Sequence, residues 1–335
     1  METNMVKRIL EENYSLSEIT SIEKSDAKTT HEPYVVIAGS KTFFLKSIKM
    51  IDNMNKGKVD IQNSIARHLH QKGVSTILPL ANKFGETVTE KENVLYVLYP
   101  FLNIDKLHET TDAHFTKAIE ILAKFHKAME DFPTEGVDFH NHPMHTSIID
   151  ITFFTERKES VKRDGVAHRA KKQNTSFAGK VLQDSDFIKS AIIKVLNNLS
   201  KLPLDKQTVL HFDFNKENLF FSNGEFLAVS DFEYSHKGAI ETDIAKAGKY
   251  WAENRKNAEV DLSKFKRFVR EYSKHNSCSL DWSLYHTLLL YIALRRLVYA
   301  ADWTLEGIQN LEFLYDYDIK MIRFLMNQEE EFKKE

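Results

Sequence analysis

The sequence predicts an α+β protein in which a small β-rich lobe precedes a larger, mostly helical one. Three observations carry this. The residues before Leu102 hold runs rich in Val, Ile, Phe, Tyr and Thr, which suit a pleated, half-buried surface. Beyond Leu102, apolar residues recur at helical spacing instead, as in Phe115, Ile119, Leu122, Phe125 and Met129. Glycine (11) and proline (6) are scarce among 335 residues, so long flexible linkers are few.

Each element follows from a local signal. "SEITSIEKS", "PYVVIAGS", "KTFFLKSI" and "NVLYVLYPFL" are predicted strands, with Gly39–Ser40 as a hairpin turn between the second and third. Between the third and fourth, Ile61, Ile65 and Leu69 fall at i, i+4 and i+8 and predict a helix that Gly73 stops. "ILPLANKFGETV" predicts a further strand and a turn at Gly85. A helix then starts near "TDAHFTKAIEILAKFHKAMEDF", with Thr111 or Asp112 as its N-cap. Helical patterns follow over 184–200, 241–254, 261–276, 281–303 and 310–332, and only "TVLHF", "NLFFS" and "FLAVSDFE" are strand-like there. The predicted division is a first lobe over 1–98, a hinge over 99–103 and a helical lobe over 104–335, with a ligand cleft between the lobes.

Composition excludes several classes. A net charge of -2 argues against a dedicated nucleic-acid binder. No run of about 18 uninterrupted apolar residues occurs, so no membrane span is predicted. The longest apolar stretch, "LYHTLLLYIALRRLVYAADW", carries His286, Arg295 and Arg296 and is predicted to be a buried helix. The single cysteine, Cys278, rules out an intramolecular disulfide and points to a reducing, cytoplasmic setting. "METNMVKRILEENYSL" has no apolar core of the kind a secretory leader needs.

The chemistry concentrates in "VLHFDFNKEN" (209–218) and "VSDFE" (229–233). The pattern is His211-x-Asp213-(x)4-Asn218, an apolar run, a turn at "SNGE", a second apolar run, then Asp231. A histidine and an acid two apart are common, and a helix-capping aspartate would explain them alone. The full pattern is more specific. Phosphoryl transfer from a nucleotide needs Mg²⁺ on hard oxygen ligands, which Asn and Asp supply. It also needs a separate carboxylate for the attacking hydroxyl. A hairpin over "NLFFSNGEFLAVSDFE" would bring Asn218 and Asp231 side by side.

These residues resemble the aminoglycoside phosphotransferase and choline kinase superfamily, whose two-lobe fold is like that of protein kinases. The family loop H-G-D-x-x-x-x-N is matched by "HFDFNKEN", and its strand ending in Asp by "VSDFE". The family's D-[LI]-A string is matched by "TDIAKAG" with Asp243, and its helix after the hinge by "ILAKFHKAM". The likeness runs from about residue 18 to about residue 305. It implies an ATP- and Mg²⁺-dependent kinase acting on a small-molecule hydroxyl. Asp213 would be the catalytic base or the orienter of that hydroxyl, and Asn218 and Asp231 would bind Mg²⁺. His211 and Asp243 would brace the loop. Lys46, in "TFFLKSI", would contact the nucleotide phosphates, with Tyr99 and Phe101 of the hinge beside the nucleotide. Lys46 also has a case of its own: on a strand it shares a face with Phe44, and an inward lysine needs an anionic partner. The other reading is a lysine snorkelling at a strand edge.

The sequence departs from the family in places. The helix position expected to offer Lys46 a glutamate is Gln62, unless the register shifts and Asp60 serves. The "KSDAKTTHEP" loop has no glycine, which argues against a protein kinase. Thr29, Thr30 and backbone N–H groups would approach phosphate there. Phe212 replaces the usual glycine, and "DFE" replaces D-F-G.

On the acceptor side, His140, His142 and His145 fit no standard zinc spacing and are predicted to lie in a loop. "ERKESVKRDGVAHRAKKQN" is either a solvated basic segment or a lid over an anionic acceptor. The acids available to greet a polycation are few: Glu233, Glu241 and Asp302. Arg295, Tyr299 and Asp302 share one face of a predicted helix, with Trp303 beside it. Two functions are therefore expected: a kinase for an amino alcohol, homoserine-like amino acid, sugar or antibiotic, or a weak or inactive kinase-fold binding protein.

Overall fold

The computed structural model describes residues 2–25, 31–50, 55–105, 110–135, 148–157, 162–199 and 207–334. Two compact units arise, and neither is contiguous. The first is Met1–His140 with Lys216–Lys237, and the second is Asn141–Asn215 with Gly238–Glu335.

The first unit is built on a five-stranded antiparallel sheet in the order β1-β2-β3-β5-β4. Its strands are β1 (Ile19–Lys24), β2 (Glu32–Ala38), β3 (Lys41–Lys49), β4 (Thr89–Lys91) and β5 (Val94–Pro100). Side chains alternate across a strand, so each strand divides between two faces. Phe43, Leu45, Tyr96 and Leu98 pack with Val6, Ile9 and Leu10 of helix α1 (Glu2–Tyr14). Ile48, Leu95 and Val97 pack with Val59 of α2 (Lys56–Gln71). Gly39, at φ +56, turns β2 into β3 as the hairpin signal predicts.

The strand predicted over 77–88 does not form. The predicted turn at Gly85 does form, with Gly85 at φ +82, and Asn82 builds it, its Oδ1 accepting from the N–H groups of Phe84 and Glu86 at 3.0 Å each. The short β4 follows it. Helix α1 was not predicted at all.

Helix α3 (Asp112–Ala128) is capped by Thr111, whose hydroxyl accepts from the His114 N–H at 3.3 Å while His114 Nδ1 accepts from the Thr111 N–H at 3.1 Å. Strands β7 (Leu219–Ser222) and β8 (Glu225–Val229) form the predicted hairpin, with Asn223 and Gly224 both at positive φ as a two-residue turn requires. Three contacts hold it. The Val229 N–H donates to Ser75 O at 3.0 Å. The Asp105 carboxylate accepts from the N–H groups of Asn223 (3.2 Å) and Gly224 (2.9 Å). Phe232 stacks on Phe125 with centroids 6.3 Å apart.

The second unit is mostly helical. Its helices are α4 (Val166–Ala170), α5 (Ser176–Leu199), α6 (Ile240–Ala252), α7 (Leu262–Ser273), α8 (Trp282–Leu305), α9 (Glu312–Asn327) and α10 (Glu329–Lys333). The pattern over 184–200 thus marks only the later part of α5. Helix α8 is buried along its length, as predicted, and hydrogen bonds accommodate His286 and Arg296 among its basic residues. Arg296 donates twice to Asp318 at 2.7 Å, and His286 Nε2 pairs with Leu325 O at 2.8 Å. Among the described residues, no helix is long and apolar enough to cross a membrane.

Candidate active site

In the second unit, strand β6 (Gln207–Leu210) delivers the chain into the loop that starts at His211. Asp243 lies in the first turn of α6 and is fully buried. Its two carboxylate oxygens accept from the N–H groups of His211 (2.8 Å) and Phe212 (3.0 Å). A buried carboxylate demands such donors, and the helix N-terminus favours its charge. His211 is also fully buried, and its Nδ1 accepts from the Asp213 N–H at 3.3 Å.

Phe212 stands at φ +60, a left-handed conformation that glycine adopts without strain. Its ring is buried, and the Lys246 ammonium sits 4.0 Å from the ring centroid. Phe212 therefore fills space, as expected, and also forms a platform for a cation.

The loop presents Asp213 half-buried, with both oxygens engaged. The Tyr250 hydroxyl donates to Oδ1 at 3.1 Å, and the Asn215 carboxamide donates to Oδ2 at 3.2 Å. Tyr250 and Lys246 were not singled out from the sequence. They lie at i+7 and i+3 from Asp243 on α6, and that stripe was the available signal. Burial pushes the Lys246 ammonium down to about 7, against the pull of Asp213 and Asp243.

The first unit holds the other predicted groups. Asn218 precedes β7 and Asp231 follows β8. The Ser230 N–H donates to Asn218 O at 3.0 Å, so the open end of the hairpin brings the Asn218 and Asp231 backbones close together. Asn218 is buried, whereas Asp231 is exposed and at φ +63. The two supply hard carboxamide and carboxylate oxygens, a donor set that fits Mg²⁺, which keeps several water or phosphate ligands of its own. Burial and the Asp231 charge raise the Tyr99 phenol. Phe101 is 43 % exposed, and its N–H extends the pairing to Thr42 O at 3.2 Å.

Lys46 lies opposite Val97, on the sheet face that packs against α2. Gln62 is half-buried on α2 but makes no hydrogen bond to Lys46. Asp60 finds its charged neighbours in Lys56, Glu86 and Arg67. The carboxylate near Lys46 is Glu233, 3.7 Å away. Thr29, Thr30, His140, His142 and His145 lie outside the described residues.

The three acids considered for the acceptor are engaged elsewhere. Glu233 faces Lys46, and Glu241 is buried and accepts from the Ser279 N–H at 3.2 Å. Asp302 pairs with Arg163 at 3.0 Å and also with Arg169, which reaches Glu306 at 2.5 Å. These two arginines of the basic segment are thus tied to α8.

The model of a phosphotransferase enzyme family matches residues 34–273. No curated protein matches the chain in sequence. Solved structures share its fold. A spectinomycin phosphotransferase in complex with ADP and spectinomycin is 16 % identical, covers 97 % of this chain and 98 % of its own, and superposes with a TM-score of 0.69. A microcompartment-associated aminopropanol kinase is 14 % identical, with 99 % and 98 % covered and a TM-score of 0.67. An amicoumacin kinase in complex with AMP-PNP and Ca²⁺ is 16 % identical, with 99 % and 94 % covered and a TM-score of 0.63.

Proposed function

Because the chain belongs to the phosphotransferase enzyme family, we propose that it is a small-molecule kinase that moves the γ-phosphoryl group of ATP to an alcohol, with Mg²⁺ as cofactor. The observation that carries this reading is the braced loop. Asp243 fixes the backbone at His211 and Phe212, and Asp213 stands beyond it with its oxygens oriented by Tyr250 and Asn215. Such preorganisation serves a group that must meet a hydroxyl in one geometry.

In the proposed reaction the acceptor oxygen attacks the γ-phosphorus, and Asp213 orients the hydroxyl and takes its proton. The bond from the γ-phosphorus to the bridging oxygen breaks, and ADP leaves with that electron pair. Lys46 binds phosphate oxygens through its ammonium. Asn218 and Asp231 would hold Mg²⁺, which supplies charge neutralisation on the phosphates when bound. Tyr99 and Phe101 flank the nucleotide base in this reading.

The acceptor is proposed to carry few positive charges, an amino alcohol such as aminopropanol rather than a polycation. The engagement of Glu233, Glu241 and Asp302 within the protein supports this. Glu233 also weakens the alternative of an inactive binding protein, because it gives Lys46 a carboxylate neighbour that neither Gln62 nor Asp60 of α2 supplies.

The test is phosphoryl transfer from labelled ATP to a panel holding aminopropanol, homoserine, simple sugars, spectinomycin and amicoumacin. Turnover of at least one acceptor is expected, with loss of turnover but retained nucleotide binding in Asp213→Ala. No thermal stabilisation by ATP·Mg²⁺ and no transfer would overturn the reading, since a ligand specific to the folded state must raise its stability.

A further inference from the structure

Lys46 sits on a packed sheet face with its side chain only 18 % exposed, so its charge requires compensation. Helix α2 does not provide it, as Gln62 is neutral and Asp60 is engaged with other charges. Compensation comes from 187 residues further along the chain, at the position where "DFE" puts a glutamate in place of a glycine. Glu233 Oε2 lies 3.7 Å from Lys46 Nζ and accepts from His31 Nε2 at 3.1 Å, with the His31 and Glu233 side chains 10 % and 11 % exposed.

Building on the kinase reading above, we propose that Glu233 is the positioning residue of the nucleotide lysine, and that His31 fixes the Glu233 rotamer. Three features support this. The 3.7 Å separation lies beyond hydrogen-bonding range, so the ion pair steers the ammonium without consuming the donors that phosphate would use. His31 donates to the same oxygen, so that oxygen is held from a second direction. The backbone carrying Glu233 is also anchored: Phe232 stacks on Phe125, and Val229 is bonded to Ser75. The lysine that meets phosphate and the two residues offered to Mg²⁺ are then set by one hairpin. A displacement of β7 and β8 would disturb both together.

The experiment is a double-mutant cycle on the full-length chain. ATP affinity is measured by titration calorimetry for wild type, Lys46→Ala, Glu233→Gln and the double variant, once with Mg²⁺ and once with EDTA. Glu233→Gln is expected to weaken ATP binding roughly tenfold under both conditions and to add nothing once Lys46 is gone. In turnover it should raise KM for ATP while leaving KM for the acceptor unchanged, and Glu233→Asp should recover part of the loss. His31→Ala, which removes only the rotamer-fixing bond, should weaken ATP binding by about threefold, again only when Lys46 is present. It serves as the second probe if Glu233→Gln fails to fold. Equal losses with and without Lys46 overturn the proposal. A loss confined to the Mg²⁺ condition also overturns it, because Glu233 would then be a metal ligand. A wild type that binds ATP with the coupling intact but phosphorylates no acceptor overturns the kinase reading alone. A wild type that binds no ATP overturns both.

Discussion

The Tyr250 hydroxyl donates to Oδ1 of Asp213 at 3.1 Å. With Oδ2 taken by Asn215 at 3.2 Å, the carboxylate of the proposed base is clamped from two directions, one of them a helix. A free carboxylate would rotate about its last bond and spend most of its time misaligned for proton transfer.

Tyr250→Phe removes that clamp while keeping the ring. A hydrogen bond to a charged group contributes about 1.5–3 kcal/mol, so kcat is expected to fall roughly 10- to 100-fold with KM for ATP unchanged. Steady-state kinetics with both substrates varied checks this. An unchanged kcat removes Tyr250 from the site.

Asp243→Ala strips two buried N–H groups of their acceptor. The expected loss is about 2–5 kcal/mol of unfolding free energy, seen as a lower urea midpoint, together with loss of turnover. Asp243→Asn keeps one acceptor oxygen and should lose about half as much. Equal midpoints for wild type and Asp243→Ala would show that the loop does not depend on this brace.

Phe212→Gly opposes two effects. Glycine relieves about 1–2 kcal/mol of left-handed strain. Deleting a buried phenyl ring costs about 3–5 kcal/mol and also removes the surface under Lys246. Packing should win, giving a net destabilisation of about 2 kcal/mol. A variant more stable than wild type would mean that the strain outweighs the packing.

Lys246 gives a pH signature. Its folded-state value is pushed down to about 7, below that of an unfolded lysine. Between about pH 7 and the ordinary lysine range, the unfolded chain therefore binds the extra proton. Wild-type stability should rise with pH through that window relative to Lys246→Met, which does not titrate. Paired urea midpoints at pH 6.5 and 9 measure the change. A constant difference between the two proteins at both pH values would contradict a lysine whose hold on its proton is weakened by burial.

Much of the fold was legible because its signals are local. The helical stripe of Ile61, Ile65 and Leu69, the Asn223–Gly224 turn and the Thr111 cap each act over a few residues. Helix α1 was missed because its packing residues, Val6, Ile9 and Leu10, make too short a stripe to stand out in a polar sequence. The turn at Gly85 was legible, whereas the strand expected before it does not form because the side-chain bonds of Asn82 compete with a ladder. In the site, the loop and hairpin could be read directly, since a turn joins their parts. The pairing of Lys46 with Glu233 could not, because no periodicity links residues so far apart in sequence.

The chain enters the first unit a second time, from Lys216 to Lys237, before returning to the second. Neither unit can therefore be obtained by simple truncation. A fragment ending at residue 140 would retain Lys46, the proposed nucleotide lysine, on its sheet but lack the hairpin, both candidate metal ligands and Glu233, the carboxylate 3.7 Å from that lysine. A two-fragment complementation system cut at this point should show no ATP affinity in the amino-terminal piece until the carboxy-terminal piece is added.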